Sequence, residues 1–412
     1  MEKPTIRFKG YTEDWEQRKL GDNIVEYTEK TTENNQYPVL TSSRKGIFFQ
    51  TDYYDGNQIA SADNTGYNIV PYGYFTYRHM SDDEIFHFNI NDIAENGIVS
   101  TLYPVFTTDE NLDSRYLQYQ LNYGREFSRY AILQKQGGSR TYMYLNKLRN
   151  LYLTVPTAIE EQKKISEYFT NLDHLITLHQ RKCEETKILK KYMLQKMFPQ
   201  NGQKVPEIRF KGFTEDWEQR KLGDSCKING RIGFRGYTEK DIVTKEAGGV
   251  LTFSPTNIVD NKLTMECKNT YITREKYDES PEIKISNGDI LFVKTGSTLG
   301  KSALVTGLKE DASINPQIVV MRVEKNTETF MSNILITNGV MKQVAAVKIG
   351  GAVPTMTETE LKNFTYFAPA EKEEKKKIGD FFRTLDHLIT LHQRKYEELK
   401  NIKKFMLQNM FV

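Results

Sequence analysis

The sequence is poor in cysteine and tryptophan and contains no long apolar run. Its three cysteines, Cys183, Cys226 and Cys267, are odd in number and far apart. This pattern is typical of free thiols in a reducing compartment, not of a disulfide framework or a zinc site. No apolar stretch reaches the roughly 18 to 20 residues of a membrane span, and the segment from Met1 to Pro4 lacks the apolar core of a secretory signal. We therefore expect a cytoplasmic protein.

The chain also lacks a strong excess of either charge. It has 57 Lys and Arg against 54 Asp and Glu, a net charge of +3, which permits nucleic-acid binding without requiring it. Aromatic rings are plentiful, with 24 Tyr and 22 Phe but only 2 Trp. They indicate either ring-bearing contact surfaces or, more simply, packing within sheets. A length of 412 residues is sufficient for two or more domains.

Two segments of the chain occur twice. Residues 4–22 recur as residues 206–224 with 17 of 19 positions identical. Residues 172–198 recur as residues 385–411 with 21 of 27 positions identical. The chain is therefore a tandem duplication, and a fixed structural role for the repeated segments is the simplest reason for their identity.

The stretches between the repeats differ from each other. Residues 23–136 and 225–349, which we call the first and second inserts, show no comparable match. Each is predicted to contain short strands, such as 289–294 and 318–323, separated by turns rich in Gly, Asn and Asp. Shared frames around unlike inserts indicate one architecture that presents two different recognition surfaces.

The repeats also predict the domain boundaries. Residues 1–158 are expected to form a first domain and residues 159–200 a long helix. Residues 201–371 are expected to form a second domain, and residues 372–412 a second long helix. The expected fold class is mixed α/β, with two tandem domains and two long antiparallel helices related by a pseudo-twofold axis.

The repeated segment 4–22 is predicted to form a short capped helix. Thr12 is a good N-cap, acidic residues follow it, and Gly21 can close the helix in a left-handed conformation. Trp15 lies within this segment, and its copy is Trp217. Each tryptophan is expected to anchor its segment against its own domain; the alternative is an exposed ring that docks a partner.

The second repeat lies in a long predicted helix. Residues 159–198 contain no Gly or Pro, and Pro199 follows, which predicts a helix of about 40 residues and about 60 Å. Apolar residues recur along it at spacings of four and three, as in a coiled coil, and we expect the two copies to pair antiparallel. The alternative is that each helix packs only on its own domain. The residues expected to pair the helices are Phe169, Leu172, Ile176, His179 and Met193, and Phe382, Leu385, Ile389, His392 and Met406.

Catalytic and metal-binding motifs are not convincing. The segment from Gly296 to Ser302 resembles a P-loop but has three residues between its glycines, where a P-loop needs four. His174 and His179 are five positions apart, so they do not share a helical face as a metal-ligand pair would. No cofactor fingerprint, methyltransferase motif or helicase signature is present, and we expect no catalysis and no metal site in this chain.

Loops of both inserts combine basic, amide, hydroxyl and aromatic residues, which are the types that hold DNA phosphates and base edges. A solvated loop is the plainer explanation for any one of them. Near the exits of the inserts, basic residues flank pairs of glycines that would let the backbone approach DNA closely. The candidates in the first insert and its exit are Ser43, Arg44, Lys45, Tyr74, Tyr77, Arg78, Lys135, Gly137, Gly138, Ser139 and Arg140. Those in the second are Arg231, Arg235, Thr256, Asn257, Lys294, Thr295, Ser297, Thr298, Lys301, Asn315, Gln317, Lys348, Gly350 and Gly351.

The duplicated frame resembles that of a known family. Two unlike domains, each preceded by IRFKG(Y/F)TEDWEQRKLGD and followed by LDHLITLHQRK, look like the specificity subunit of a bacterial type I restriction-modification system. The segment GDILFVKTGSTLGK, residues 288–301, also resembles one common in the target recognition domains of that family. The likeness covers essentially the whole chain.

This resemblance implies a function and a set of partners. The chain would recognise a two-part DNA sequence with an unread spacer, on behalf of two methyltransferase subunits and two restriction subunits. S-adenosylmethionine, ATP and magnesium would belong to those partners and not to this chain. Two other classes stay open from the residues alone: a nuclease or methyltransferase with diverged motifs, and a scaffold or adhesin that binds no DNA.

Overall fold

A computed structural model describes residues 4–56, 60–135, 139–200, 202–265, 267–348 and 354–411. The chain divides into two compact units. The first unit comprises Met1–His179 and Arg394–Val412, and the second comprises Gln180–Gln393. No helix in the described ranges is long and apolar enough to cross a membrane.

The first unit is mixed α/β. Its strands are β1 (Glu16–Lys19), β2 (Ile24–Glu26), β3 (Leu40–Ser43), β4 (Gly46–Phe49), β5 (Asn68–Pro71), β6 (Phe75–Thr76), β7 (Met80–Ser81), β8 (Asn89–Ile90), β9 (Asn96–Val99), β10 (Val105–Thr108), β11 (Thr141–Tyr142) and β12 (Tyr152–Val155). Its helices are α1 (Gln50–Tyr53), α2 (Ser114–Tyr123), α3 (Arg125–Leu133), α4 (Leu145–Leu148) and the start of α5 (Ile159–Lys196). Its main sheet is antiparallel in the order β2-β10-β6-β8.

The second unit repeats this plan with different residues. Its strands are β13 (Glu218–Lys221), β14 (Cys226–Gly230), β15 (Ile242–Val243), β16 (Val250–Phe253), β17 (Ile258–Val259), β18 (Lys262–Leu263), β19 (Thr270–Ile272), β20 (Ile290–Val293), β21 (Ser302–Leu304), β22 (Ala312–Ile314), β23 (Ile318–Val323) and β24 (Thr365–Ala368). Its helices are α6 (Leu222–Ser225), α7 (Arg274–Asp278), α8 (Glu328–Ile334), α9 (Asn338–Lys348), α10 (Glu358–Asn363) and the start of α11 (Lys372–Met410). The strands predicted at residues 289–294 and 318–323 are confirmed as β20 and β23.

The main sheets of the two units share one topology. In the second unit the antiparallel order is β14-β23-β20-β21. In both sheets the first of the four strands in chain order is an outermost strand, and the last in chain order pairs with it. The second strand in chain order comes next, and the third is the other outermost strand. The second unit adds a sheet in the order β15-β19-β16-β22, in which β16 and β22 run parallel.

The prediction of a helix in the first repeated segment was wrong. Residues Glu16–Lys19 form β1, which pairs antiparallel with β12, and a 3-10 turn follows at Leu20–Asp22. The copy forms β13, which pairs with β24 in the same way. The capping signals were local, whereas the partner strand lies more than 130 residues along the chain, and its ladder of hydrogen bonds decides the conformation.

The anchoring role expected of both tryptophans is confirmed. Trp15 and Trp217 are each 1% exposed and lie in the cores of their own units. Trp15 packs edge-on against Tyr116, and Trp217 packs edge-on against Phe198. The indole N–H groups of both rings have no hydrogen-bond partner among the described residues.

The long helices are present where the sequence predicted them, and each unit contains antiparallel segments of both. In the first unit, Phe169 of α5 stacks on Phe411, which follows α11, at 5.6 Å. In the second unit, Phe198, which follows α5, packs against Phe382 of α11 at 5.7 Å. The expected pairing residues Phe169, Leu172, Phe382 and Leu385 are buried, whereas Ile176, His179, Met193, Ile389, His392 and Met406 are half-buried.

A buried ion pair fastens each first repeat to its long helix. The Glu161 carboxylate, which is fully buried, accepts two hydrogen bonds from Arg7, at 2.6 and 2.7 Å. In the second unit Glu374 is 1% exposed and accepts two from Arg209, at 2.7 and 2.8 Å. This hydrogen bond raises the pKa of the Arg209 guanidinium further above its ordinary value. The pair is the same at equivalent positions of the duplication.

Replacing Glu374 with Ala is expected to lower the free energy of unfolding of the second unit by about 3 kcal/mol, because it leaves the half-buried Arg209 cation without its carboxylate. Urea denaturation followed by circular dichroism measures this change. Glu373→Ala is the matched control, since Glu373 is the preceding residue and is exposed. Equal stability of the two variants would show that the pair does not fasten the helix.

Candidate nucleic-acid interface

Most candidate residues of the second insert lie at one edge of its main sheet, by which we mean the edge formed by strand ends and not an outermost strand. The register pairs Val293 with Ile318 and Phe292 with Ser302, so β20 ends where β21 and β23 begin. Gly230, the last residue of β14, pairs with Val319 at the same edge. Loops that are far apart in the sequence are therefore brought together here, and we call this the second reading edge.

Lys294, Gln317 and Lys301 lie at this edge. Lys294 and Thr295 follow β20, and the Lys294 N–H donates to the carbonyl of Gln317 at 2.8 Å. Gln317 is exposed, and its amide also accepts a hydrogen bond from the Asn315 side chain at 3.1 Å. Lys301, just before β21, is exposed and has no ion pair among the described residues. Lys294, by contrast, pairs with Glu358 at 3.5 Å.

The glycine-rich loop of this edge serves a turn. Gly296 and Gly300 have positive φ values of 100° and 92°, and a Cβ on Gly300 would come within 2.7 Å of Val344. Gly300 donates its N–H to Val293, so the loop bonds to its own strand. Ser297 is exposed and Thr298 is half-buried beside the buried Leu299. The loop is tightly held and presents a hydroxyl and the Lys301 ammonium outward.

Two candidates of the second insert are corrected because they are buried. Asn257 is fully buried, and its amide donates to the carbonyl of Thr264 and to the side chains of Cys267 and Asn269. Arg231 is 7% exposed, and its guanidinium donates to the carbonyls of Ile314 and Arg235. Both side chains hold loops in place, and neither offers its polar atoms to DNA.

Three further candidates of the second insert lie near the second reading edge, but their side chains are hydrogen-bonded within the protein. Thr256 is exposed and bonds through its hydroxyl to Ser254, just after β16. Arg235 is half-buried and donates to Glu282 at 3.3 Å. Asn315 is 8% exposed and accepts the N–H of Gln317 at 3.0 Å, which fixes the approach to β23.

The first insert has an edge of the same topology. Val105 pairs with Thr76, and Thr76 pairs with Asn89, so β6 ends where β8 and β10 begin. Arg78 follows β6, is exposed, and has no ion pair among the described residues. In the shared topology it takes the place of Lys294 and Thr295. We call this the first reading edge.

A cavity of about 550 Å³ opens at the first reading edge. Tyr53, Tyr54, His87 and Tyr103 line it together with Arg78. Burial lowers the pKa of His87 below its ordinary 6.5, which favours the neutral imidazole, with one ring nitrogen as a donor and the other as an acceptor. Sequence reasoning missed these four residues, since nothing local marks them and only the strand order brings them to the edge.

The β3–β4 turn adds further candidates to this cavity. Ser43, Arg44 and Lys45 line it, and the Ser43 hydroxyl closes the turn by donating to the carbonyl of Gly46 at 3.1 Å. Lys45 is exposed and has no ion pair among the described residues. Arg44 pairs with Asp83, and its pKa is raised by that hydrogen bond.

The two tyrosine candidates of the first insert both make contacts within the protein, and the burial of Tyr77 corrects its prediction as a DNA contact. Tyr77 is fully buried, and its hydroxyl donates to the carbonyl of Met143 at 2.8 Å, so this ring belongs to the core. Tyr74 is half-buried, with its ring 5.1 Å from that of Tyr27. Tyr77 is therefore not available to DNA, whereas Tyr74 stays a candidate contact.

The exit of the first insert is partly described. Ser139, Lys135 and Arg140 are exposed, and the two basic residues pair with Glu84 and Asp82. Gly137, Gly138, Gly350 and Gly351 lie outside the described residues. Lys348 ends α9, and its side chain is likewise outside the description.

In the ranges that are described, no group of three His, Cys, Asp or Glu could hold a metal ion.

These features define a class of protein. A duplicated frame carries two domains whose sheets share one topology, and loops of unlike sequence meet at the equivalent edge of each sheet. The family model described as type I restriction modification DNA specificity domain matches the chain twice, at residues 12–187 and 214–401. The chain belongs to this family, and its function is DNA recognition as a specificity subunit of a type I restriction-modification system.

The chain is similar to known proteins in sequence and in structure. The specificity subunit of the type I restriction enzyme MjaVIII from Methanocaldococcus jannaschii is 22% identical over 321 residues, which cover 76% of this chain and 73% of that protein. The S subunit of a type I system from M. genitalium superposes with a TM-score of 0.59 at 11% identity, over 100% of this chain and 99% of that one. HsdS from Thermoanaerobacter tengcongensis gives 0.47 at 16% identity, over 97% of both chains. The M. genitalium structure confirms the expected mixed α/β fold.

Proposed function

We propose that the chain reads a DNA target of two parts separated by an unread spacer, with one part read at each reading edge. The observation that carries this proposal is the equivalence of the two edges. The same strand ends, in sheets of the same order, hold loops whose sequences show no comparable match between the inserts. A shared scaffold with unlike loops is what two independent readings of DNA require.

The contacts at each edge divide into two kinds. Arg78 and Lys45 at the first edge, and Lys301 at the second, are exposed cations without ion pairs in the described structure and are assigned to phosphates or to guanine. Gln317 is assigned to a base edge, because its exposed amide can both donate and accept. Thr295, Ser297 and Thr256 supply shorter hydroxyl contacts around it.

Residues 1–158 and 201–371 are the recognition domains in this proposal, and residues 159–200 and 372–412 set the spacer between them. The chain itself is non-catalytic. It directs two methyltransferase subunits, which modify adenine with S-adenosylmethionine, and two restriction subunits, which use ATP and magnesium. The support is membership of the family, together with the absence of convincing catalytic motifs in the sequence.

Mapping of methylated adenines tests this function. The gene is expressed with its methyltransferase subunit in a host that lacks adenine methylation, and the genome is sequenced by a method that detects N6-methyladenine. A single motif with two specified parts and a fixed unspecified spacer is expected. A continuous motif would overturn the two-part reading. Methylation or cleavage by the purified chain alone would instead identify an enzyme.

Lys301→Ala is expected to weaken binding of the methyltransferase complex to the mapped target and to lower the slope of log affinity against log salt by about 0.9, since one phosphate contact is lost. Fluorescence anisotropy at several salt concentrations measures both. Lys309→Ala is the matched control, because Lys309 is also exposed but lies beyond the other end of β21. The same slope in both variants would show that Lys301 does not contact a DNA phosphate.

A further inference from the structure

Three consecutive acidic residues lie at the first reading edge. Asp82, Asp83 and Glu84, which we call the acidic loop, directly follow β7. Asp82 and Asp83 line the same cavity as Arg78 and Lys45. Carboxylates beside a surface assigned to DNA are unfavourable for phosphate binding, so their position needs a reason.

Each acidic residue pairs with a different basic residue, and the three basic residues come from separate segments. One lies in the β3–β4 turn, one two residues after α3, and one directly before β11. All three are among the candidate DNA contacts predicted from the sequence. The pairs are Arg44 with Asp83, Lys135 with Glu84 at 2.5 Å, and Arg140 with Asp82 at 2.8 Å.

The acidic loop is held in this position by its own contacts. The Ser81 hydroxyl lies 2.8 Å from the Asp83 carboxylate and 2.9 Å from the Ile85 carbonyl, so its one proton is donated to either of these acceptors. Glu84 has a φ of 60°, in the left-handed region that few non-glycine residues adopt. β7 is in turn paired with β11, the strand that Arg140 precedes. The loop therefore has a defined conformation that faces the cations.

The pairs are exposed, so they can exchange partners. Side-chain exposure is 55% and 48% for Arg44 and Asp83, 50% and 68% for Arg140 and Asp82, and 48% and 23% for Lys135 and Glu84. Ion pairs this exposed contribute little to folding stability. A DNA phosphate offers an arginine the same two-oxygen acceptor that a carboxylate does. The acidic loop thus occupies the cations as a phosphate would.

We propose that the acidic loop competes with DNA phosphate for Arg44, Lys135 and Arg140 and thereby suppresses non-specific binding by the first domain. The inference rests on the proposed DNA-reading function. Non-specific binding is almost wholly electrostatic. When the acidic loop occupies the cations, non-specific DNA makes no other contacts that could offset the cost of displacing the carboxylates. A complex with the correct target also gains base contacts, which can drive the exchange of carboxylate for phosphate.

The test neutralises the loop without changing its shape. The triple variant D82N/D83N/E84Q is assembled with the methyltransferase and titrated with a 40-base-pair duplex of mixed sequence. Its affinity is expected to rise on the order of tenfold, and the slope against log salt to steepen by up to about 2.7, as three cations become available to phosphates. Affinity for a duplex that carries the mapped target should rise less, so the ratio between the two falls.

A matched variant separates this exchange from a general change of charge. D92N/E95Q/E110Q removes three exposed carboxylates that follow β8 or β10, at the opposite edge of the same sheet. It changes the net charge equally but is expected to alter the affinity and the slope much less. An equal rise in both variants would overturn the proposal, because long-range charge alone would then explain the effect.

A double-mutant cycle tests the pairing itself. In the background R44A/K135A/R140A, neutralising the acidic loop should have little effect on binding to the mixed-sequence duplex, because the cations for which it competes with phosphate are gone. An undiminished rise would show that the loop does not act through these cations. If the unmodified complex binds no DNA, the proposed function fails. If it binds and the triple variant behaves identically, only the acidic-loop proposal fails.

Discussion

Exchange of residues 225–349 for the insert of a relative is expected to change one half of the DNA target and to leave the other half and the spacer unchanged. The strand ends that form the second reading edge, those of β14, β20, β21 and β23, all lie in this insert. Glu358, outside the insert, pairs with Lys294 at this edge. The strand ends that form the first reading edge lie within residues 23–136, and Arg140, just beyond them, pairs with Asp82. Each half of the target is therefore assigned to its own set of loops.

The exchange should succeed when the incoming insert matches the frame beneath it. Trp217 and Leu361 of the frame share a core with Phe292 and Met321 of the insert. An insert that keeps large apolar residues at those two strand positions retains this core, whereas smaller ones would leave cavities. A relative with a frame of similar sequence is the suitable donor.

The expected effect is large. Each mismatched base pair costs about 1–3 kcal/mol, so losing a half-site of several base pairs should abolish methylation at the original target. Methylation mapping identifies the new motif, and the reciprocal exchange of residues 23–136 serves as the control. Alteration of both halves by either exchange would contradict independent reading.

The sequence predicts the elements whose signals are local and repeated. Residues 159–198 lack Gly and Pro and carry a heptad-like stripe, and the long helix is present there. The helix predicted around Trp15 fails for the opposite reason, because its conformation depends on β12, which no local pattern reveals. Turn and cap signals are weak beside a full strand ladder.

The candidate site is harder to predict, because the same residue types bind DNA and hold loops. Arg231 and Asn257 have the chemistry of a DNA contact, but tertiary packing buries both. The equivalence of the reading edges is invisible in the sequence, since the inserts do not align and strand order alone relates Arg78 to Lys294. The pairing of Arg44 with Asp83 likewise depends on two turns that only the folded chain brings together.

A four-residue insertion in one long helix is expected to abolish methylation, whereas matched insertions in both should lengthen the spacer. Two ion pairs tie the helices at equivalent positions of the duplication. Lys403 donates to Asp173 at 2.5 Å in the first unit, and Lys190 donates to Asp386 at 2.8 Å in the second. Asp173 and Lys190 are 17 positions apart on α5, and so are Asp386 and Lys403 on α11.

Because the two separations are equal, both ion pairs can form with the helices in a single register. Inserting four residues after Thr186 separates Asp173 from Lys190 by four more positions, but leaves Asp386 and Lys403 as they are. Both ion pairs cannot then form together, and the seam at Cys183, which is 2% exposed against α11, is also displaced. A second insertion after Leu399, the residue equivalent to Thr186, restores the match.

The doubly inserted chain has both helices longer by about 6 Å, at 1.5 Å per residue. This length is close to two base pairs of DNA, at 3.4 Å each. Under the proposal that the helices set the spacer, the mapped motif should keep both halves and gain about two unspecified base pairs. An active single insertion with an unchanged spacer would show that the helices do not measure the distance, and a change of either half in the double insertion would show that they contribute to reading.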